Sequence, residues 1–340
     1  MTITNIHFVG SIGLEDADSV FRNLGEIIGS KARRYPDGET GKRHYWVQWQ
    51  GEVFRKHPAF EFEAEREKLT DTANKTRLYR LKSPVDISEL VFTPLGYASE
   101  AIASFQLFSS LKSGGVIPPN TRFQVSLPTP VAVLMTFVIA EHRSLVESAY
   151  TKAMEAEMHT ILANIPADEL AIQWDIAHEL VAFEGNFSLP YANIFDGTCE
   201  RVAKLVDQIP ESVETGIHLC YGDPGHKHII DPEDLGNCVK FANALQAQST
   251  RPINFFHMPV LRERKDESYF RPLTNLDISN AELVLGLIHY TDGVEGTLER
   301  MDTANKVVGD YAIATECGFG RRQPETILDL LKIHAALPVQ

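Results

Sequence analysis

The stretch GIHLCYGD, residues 216–223, carries the pattern on which the fold turns. A short β-rich run ends in His218 and Cys220, and a glycine turn follows. In an extended chain alternate side chains share a face, so an imidazole and a thiol emerge together at the end of one strand. The same grammar recurs along the chain. Runs at 5–9, 90–93, 122–126, 171–175, 216–220, 252–256, 283–288 and 311–314 read as strands. Several are followed by punctuation such as GSIG, PLG, LPTP, YGDPG, HMP, HYTDG or ECGFG. Amphipathic segments at helical spacing, such as 144–162, lie between them.

Strands alternating with helices predict an α/β fold, here a single (β/α)8 TIM barrel over 1–340 with an elaborated first β-to-α connection. Closure removes the exposed sheet edges. The span from residue 12 to about 88 is too long for a plain loop. It is expected to hold helices at 16–28 and 61–75 and an insertion at 33–50, so that 29–88 is an elaboration within the same domain.

Composition narrows the function classes. The 340 residues include 46 acidic and 32 basic side chains, a net charge of −14, which disfavours nucleic acid and anionic membrane surfaces as partners. The strongest apolar run, 131–140, is half the length of a membrane-spanning helix. No secretory signal is recognisable at the amino terminus. Four cysteines are too few for a disulfide scaffold, so a reducing cytoplasm with free thiols is expected.

A bare H-x-C is more often a core histidine beside a buried cysteine than a metal site. Cys317, in TECGFG, changes the balance, because it too follows a strand and in a barrel would reach the same rim. Imidazole and thiolate are zinc ligands, so His218, Cys220 and Cys317 form a candidate Zn²⁺ site distributed over the chain. Cys199 and Cys238 lie in helical surroundings and read as structural thiols.

The ordered set IQWD (172–175), HLC (218–220) and CGFGRR (317–322), with GSIG (10–13) and SLPTP (126–130), resembles the catalytic domain of cobalamin-independent methionine synthases. That family belongs among the methionine synthase and uroporphyrinogen decarboxylase-like barrels. The resemblance implies a zinc-centred barrel in which His218, Cys220 and Cys317 hold the metal and Asp175 contacts the substrate amino group. It also implies a small thiol or amino-acid-like substrate, with a methylated corrinoid, a folate or another activated methyl compound as donor. Departures from the family pattern are specific. A glutamate ligand near strand six is replaced by His257, which either completes a His₂Cys₂ set or stays outside it. D-E-P becomes Asp175-Ile176-Ala177, and D-x-H becomes His289-Tyr290-Thr291.

Other candidates are read from the residues themselves. Asp175, His178 and His289 are candidate acid-base groups. Ser11, Glu39, Arg43 and His226 are candidate substrate contacts, although Glu39 and Arg43, in the DGETGKR segment beginning at Asp37, also suit a turn closed by an ion pair. Tyr45, Trp46 and Trp49 can form a pocket wall or ordinary packing. The expected activity is zinc-dependent alkyl or methyl transfer to a small thiol. Thiol addition to an epoxide-like electrophile, and a zinc-dependent lyase or hydrolase, are the alternatives.

Overall fold

The computed structural model describes residues 2–66, 75–92, 94–185, 187–223, 225 and 227–339. Eight parallel strands form one curled sheet in the order β1-β10-β9-β8-β7-β6-β5-β2, and strands β3 and β4 form a separate hairpin. The barrel strands are β1 (Ile3–Ile6), β2 (Arg34–Pro36), β5 (Arg122–Pro128), β6 (Leu170–Ile176), β7 (Glu214–Leu219), β8 (Phe255–Pro259), β9 (Glu282–Ile288) and β10 (Tyr311–Thr315). The hairpin pairs β3 (Phe60–Arg66) with β4 (Thr76–Leu81) in antiparallel register. Single bridges, Ile6 to Ala32 and Ser11 to Gly38, join β1 to the β2 segment and close the ring. The chain is therefore an α/β barrel, as its strand pattern predicts.

Two expectations need correction. The second barrel strand is Arg34–Pro36 rather than 90–93. Leu90 and Phe92 are buried, but outside the sheet, and residue 93 lies outside the described residues. Hence most of the elaboration at 29–88 falls between the second and third barrel strands. The helix expected at 61–75 is instead strand Phe60–Arg66, with 67–74 outside the described residues. The sequence FEFEAER alternates apolar and charged residues, the period of a strand, and cross-strand pairing overrides its glutamate-rich helix propensity.

Most buried apolar side chains lie between the sheet and the surrounding helices. Among the described residues Val9, Phe255, Val284, Ala312 and Ala314 form a small apolar cluster of their own, and His7, Gln124, Gln173, Asp175, His218 and His257 are buried polar residues on the strands or at their ends. Register explains how the upper interior is set. Asp175 on β6 pairs with His218 on β7, which pairs with His257 on β8, so these three side chains stand at one level near the carboxyl ends of their strands. Loops at that end of a barrel are where its sites are built. Among the described residues, no helix is long and apolar enough to cross a membrane.

Candidate metal centre and ligand cavity

Three of the predicted donors converge. Cys220 Sγ lies 3.7 Å from Cys317 Sγ, and Cys317 Sγ lies 3.7 Å from His218 Nε2. All three donor atoms fall within 4.8 Å of one another. A tetrahedral ion with bonds of ~2.3 Å to sulfur and ~2.0 Å to nitrogen separates such donors by roughly 3.6–3.8 Å. The two 3.7 Å separations match those expected around such an ion. Both cysteines are free thiols, and Cys220 Sγ also accepts from the Gly222 N–H (3.2 Å). Hydrogen bonding to Cys220, then burial and the neighbouring thiol's charge, push the Cys317 thiol well above its ordinary value. Two thiolates at this spacing need a cation between them.

His257 is not part of that triangle. Its Nε2 lies 2.9 Å from the Thr315 carbonyl, which can only accept, so Nε2 carries the proton. Burial holds the His257 pKa down at about 4, partly offset by Thr315 and Glu316, so the ring is neutral and Nδ1 is an acceptor. That Nδ1 lies 2.7 Å from His218 Nδ1, which must then donate. His218 is likewise kept neutral by burial, with His257, His7 and His228 adding to the effect. Its Nε2 is left with a free lone pair beside Cys317. His257 thus fixes the tautomer of His218, a common arrangement behind a metal-binding imidazole.

The donor triangle opens on a cavity of about 160 Å³, room for on the order of ten waters. Ser11, Glu39, Tyr45, Trp46, Asp175 and His178 line it, together with Arg66, Asp223 and Arg321. Burial, and then the charge of Glu39, raise Asp175 well above the ordinary carboxyl range, with hydrogen bonds from Gln173 and Trp46 opposing. Burial also raises Glu39 from the ordinary 4.5 to about 7. Burial thus favours the protonated form of both carboxyls that face the cavity, and a cation beside them would favour their ionisation. Glu39 and Trp46 both hold a positive φ, of 49° and 52°, a strained conformation that the loop must maintain. A Cβ on Gly10 would stand 2.6 Å from Glu39 Oε1, so glycine there admits the carboxyl group. Likewise, a Cβ on Gly318 would meet Ser11 Oγ at 2.4 Å, which ties the GFG turn to GSIG.

The remaining sequence candidates are placed elsewhere. Arg43 does not face this cavity. It grips Asp37 through two bonds (3.2 and 2.7 Å), and Ser104 Oγ donates to the same carboxylate (2.6 Å). This is the ion-pair reading of DGETG. His289 also stands behind the cavity, 2.9 Å from the Val260 carbonyl and 3.6 Å from Glu316 Oε1. His228 reaches the other oxygen of Glu316 (3.3 Å). Burial opposes the charge of Glu316, but these two imidazoles bring its pKa below the ordinary range. His226 lies outside the described residues. Trp49 packs under Gly96 rather than in the cavity. Sequence reading missed Arg321, whose guanidinium is held by the Asp223 carboxylate and carbonyl (3.1 Å each), although the CGFGRR motif contains it. It also missed Arg66, which no motif marks.

The structure is an α/β barrel with a His-Cys-Cys cluster at its rim, and its fold is similar to that of solved B12-independent methionine synthases. A B12-independent methionine synthase from Shewanella sp. W3-18-1, solved in complex with selenomethionine, superposes with a TM-score of 0.59 at 14% identity, covering 98% of this chain and 95% of that one. A putative vitamin-B12 independent methionine synthase from Listeria monocytogenes superposes with a TM-score of 0.58 at 14% identity, covering 98% and 97%. At that identity the likeness establishes the fold. No protein-family profile matches the sequence. A 159-residue stretch is 28% identical to structural maintenance of chromosomes protein 2-1 of Arabidopsis thaliana, covering 45% of this chain and 13% of that protein. The chain thus spans about an eighth of that relative, a share that assigns neither its family nor its activity here.

Proposed function

We propose that this protein is a zinc-dependent enzyme that transfers an alkyl group, methyl foremost, to the sulfur of a small amino-acid-like thiol. The observation that carries this reading is the triangle of His218, Cys220 and Cys317 opening on a cavity lined by two buried acids, Asp175 and Glu39, whose pKa values burial raises. Bound there, Zn²⁺ would supply a Lewis acid that makes an incoming thiol ionise near neutral pH. Two cysteine ligands suit sulfur chemistry better than water activation, which more often relies on imidazoles and carboxylates.

The chain's own residues do the rest. Asp175 and Glu39 bind the substrate ammonium and release protons as they do so, because each carboxyl ionises once a cation lies beside it. Ser11 borders the same space and adds a hydroxyl. Trp46 and His178 stack at 5.6 Å between centroids and give the cavity a flat, uncharged surface. Such placement is the main contribution of the protein to a displacement between two bound reactants. An activated methyl compound such as a methylated corrinoid or folate is the donor in this reading. His289 lies outside the cavity lining, so a lyase or hydrolase reading would draw its acid-base group from Asp175 or His178, which do line it.

Metal analysis and zinc-edge X-ray absorption test the reading. About one Zn²⁺ per chain is expected in the native protein, lost from Cys220→Ser and Cys317→Ser. Addition of homocysteine or a related thiol should add a sulfur scatterer at ~2.3 Å. Full zinc occupancy in Cys317→Ser, or a coordination shell that no thiol changes, would overturn it.

A further inference from the structure

Two guanidinium groups converge on one carbonyl oxygen beside the cavity. Arg66 Nη1 donates to Met135 O and Nη2 to Thr136 O, each at 3.3 Å. Arg143 Nη2 approaches the same Met135 oxygen at 3.5 Å, while its Nε donates to Val138 O at 3.0 Å. Those oxygens close the helix Pro130–Phe137, and a helix carboxyl end carries roughly half a negative charge. Half a charge does not balance two cations. Glu141 lies close enough to Arg143 to support its charge. Among the described residues no carboxylate pairs with Arg66, whose only bonds are the two long ones to carbonyls. This happens in a chain with a net charge of −14, where carboxylates are in excess.

The neighbouring imidazole points to the same conclusion. His178 lines the cavity with Arg66, and its Nδ1 is buried without a hydrogen-bond partner. Burial first, and then the charges of Arg66 and Arg143, lower its pKa to about 4, so the ring is neutral. The ring is held face to face with Trp46, 11° from parallel, and cannot swing freely to find a partner. Thr76 and Thr136 complete this part of the lining.

We propose that Arg66 and His178 form an anion-binding subsite in the cavity, and that one reactant carries a carboxylate, phosphate or sulfonate group that seats there. The guanidinium fork offers paired N–H donors to such a planar or tetrahedral anion, and the imidazole offers one more. This deepens the alkyl-transfer reading by naming the charge class of a reactant, and rests on that reading only for the word reactant. Anion binding itself needs no metal.

Calorimetric titration of inorganic phosphate tests the subsite on the native protein and on protein stripped of zinc by chelation. Saturable binding is expected in both, weakened about tenfold or more by Arg66→Gln. Since Arg66 also closes a helix end, Arg66→Lys serves if the glutamine variant does not fold. It keeps the charge, loses the fork, and should bind phosphate measurably less tightly than wild type. Absence of phosphate binding by the native protein, or wild-type affinity in the folded Arg66 variants, overturns the proposal. Two thiols distinguish the source of the anion. If it belongs to the acceptor, 3-mercaptopropionate displaces phosphate, and its advantage over 2-mercaptoethanol vanishes in Arg66→Gln. If it belongs to the donor, phosphate and 3-mercaptopropionate bind together. Zinc-edge spectra of the same samples show separately whether the metal reading fails.

Discussion

The two ends of the barrel are both polar, yet they settle their charge differently. At the amino ends of the strands Arg34 donates to Glu214 (2.8 Å) and to Glu282 (3.2 and 2.9 Å), and Arg122 meets Glu214 at 3.1 Å. Asn5 adds a bond to Glu282. Arg33 reaches Glu282 as well (3.4 Å), so three arginines share two glutamates, and Arg34 closes the interior from below with its guanidinium 4.0 Å over the Phe255 ring. At the carboxyl ends, two thiols, two acids whose pKa values are raised by burial, and Arg66, which pairs with no carboxylate among the described residues, face a cavity. The lower end is complete in itself. The upper end leaves its donors turned toward a cavity.

The comparison breaks most visibly at Arg34. Removing one partner of a buried ion pair leaves the others uncompensated, at a cost of about 3–5 kcal/mol. Arg34→Met should therefore lower stability by that amount in denaturant unfolding, with zinc content unchanged in whatever remains folded. A loss under 1 kcal/mol would mean that the lower charges are solvated and do not close the barrel.

The upper end should respond in the opposite sense. Glu39 holds its proton to about pH 7 in the folded chain, whereas the unfolded chain releases it near 4.5. Between those values the folded state binds more protons, so stability falls as pH rises through the window. The shift corresponds to on the order of 3 kcal/mol. Glu39→Gln removes this penalty and should be more stable than wild type at pH 8, with little difference at pH 4. Glu179, also raised to about 7 by burial, leaves part of the slope in place. Parallel pH profiles for variant and wild type would show that Glu39 is not buried as a carboxyl.

Much of this architecture is written locally, and the exceptions have a physical cause. Strands such as Glu282–Ile288 are continuous apolar runs, as buried parallel strands must be. His218 and Cys220 were legible because two-residue alternation at a strand end fixes their common face. Arg34–Pro36 was not legible, because its inward residue is an arginine whose counter-charges, Glu214 and Glu282, lie far along the chain. No window of sequence contains that pairing. The same holds for Arg66, which reaches the cavity only because an antiparallel hairpin carries it to the end of another helix. His257 was legible as a site residue, but its role depends on the Thr315 carbonyl opposite, a backbone group that carries no signature.

That role gives the smallest predicted effect. Between the two ends lies a layer of neutral imidazoles. His7 is pushed well below its ordinary value by burial first and then by Arg34 and His257, and its ring centroid lies 6.1 Å from that of His257. Arg34 of the lower end thereby helps keep His7 unprotonated, while burial does most to keep His218 in the form that can donate a lone pair. Replacing His257 by leucine removes the acceptor that holds His218 in its Nδ1–H tautomer. Zinc affinity should drop about 10–100-fold, the usual cost of losing the partner behind a ligand, while a stoichiometric complex still forms at saturating metal. Its absorption-edge spectrum should retain the native count of sulfur and nitrogen scatterers. His257→Gln, which keeps an acceptor toward His218 and an N–H toward Thr315, should recover most of the affinity. Loss of a nitrogen scatterer in the leucine variant, without rescue by glutamine, would make His257 a ligand and break the separation between the imidazole layer and the donor triangle.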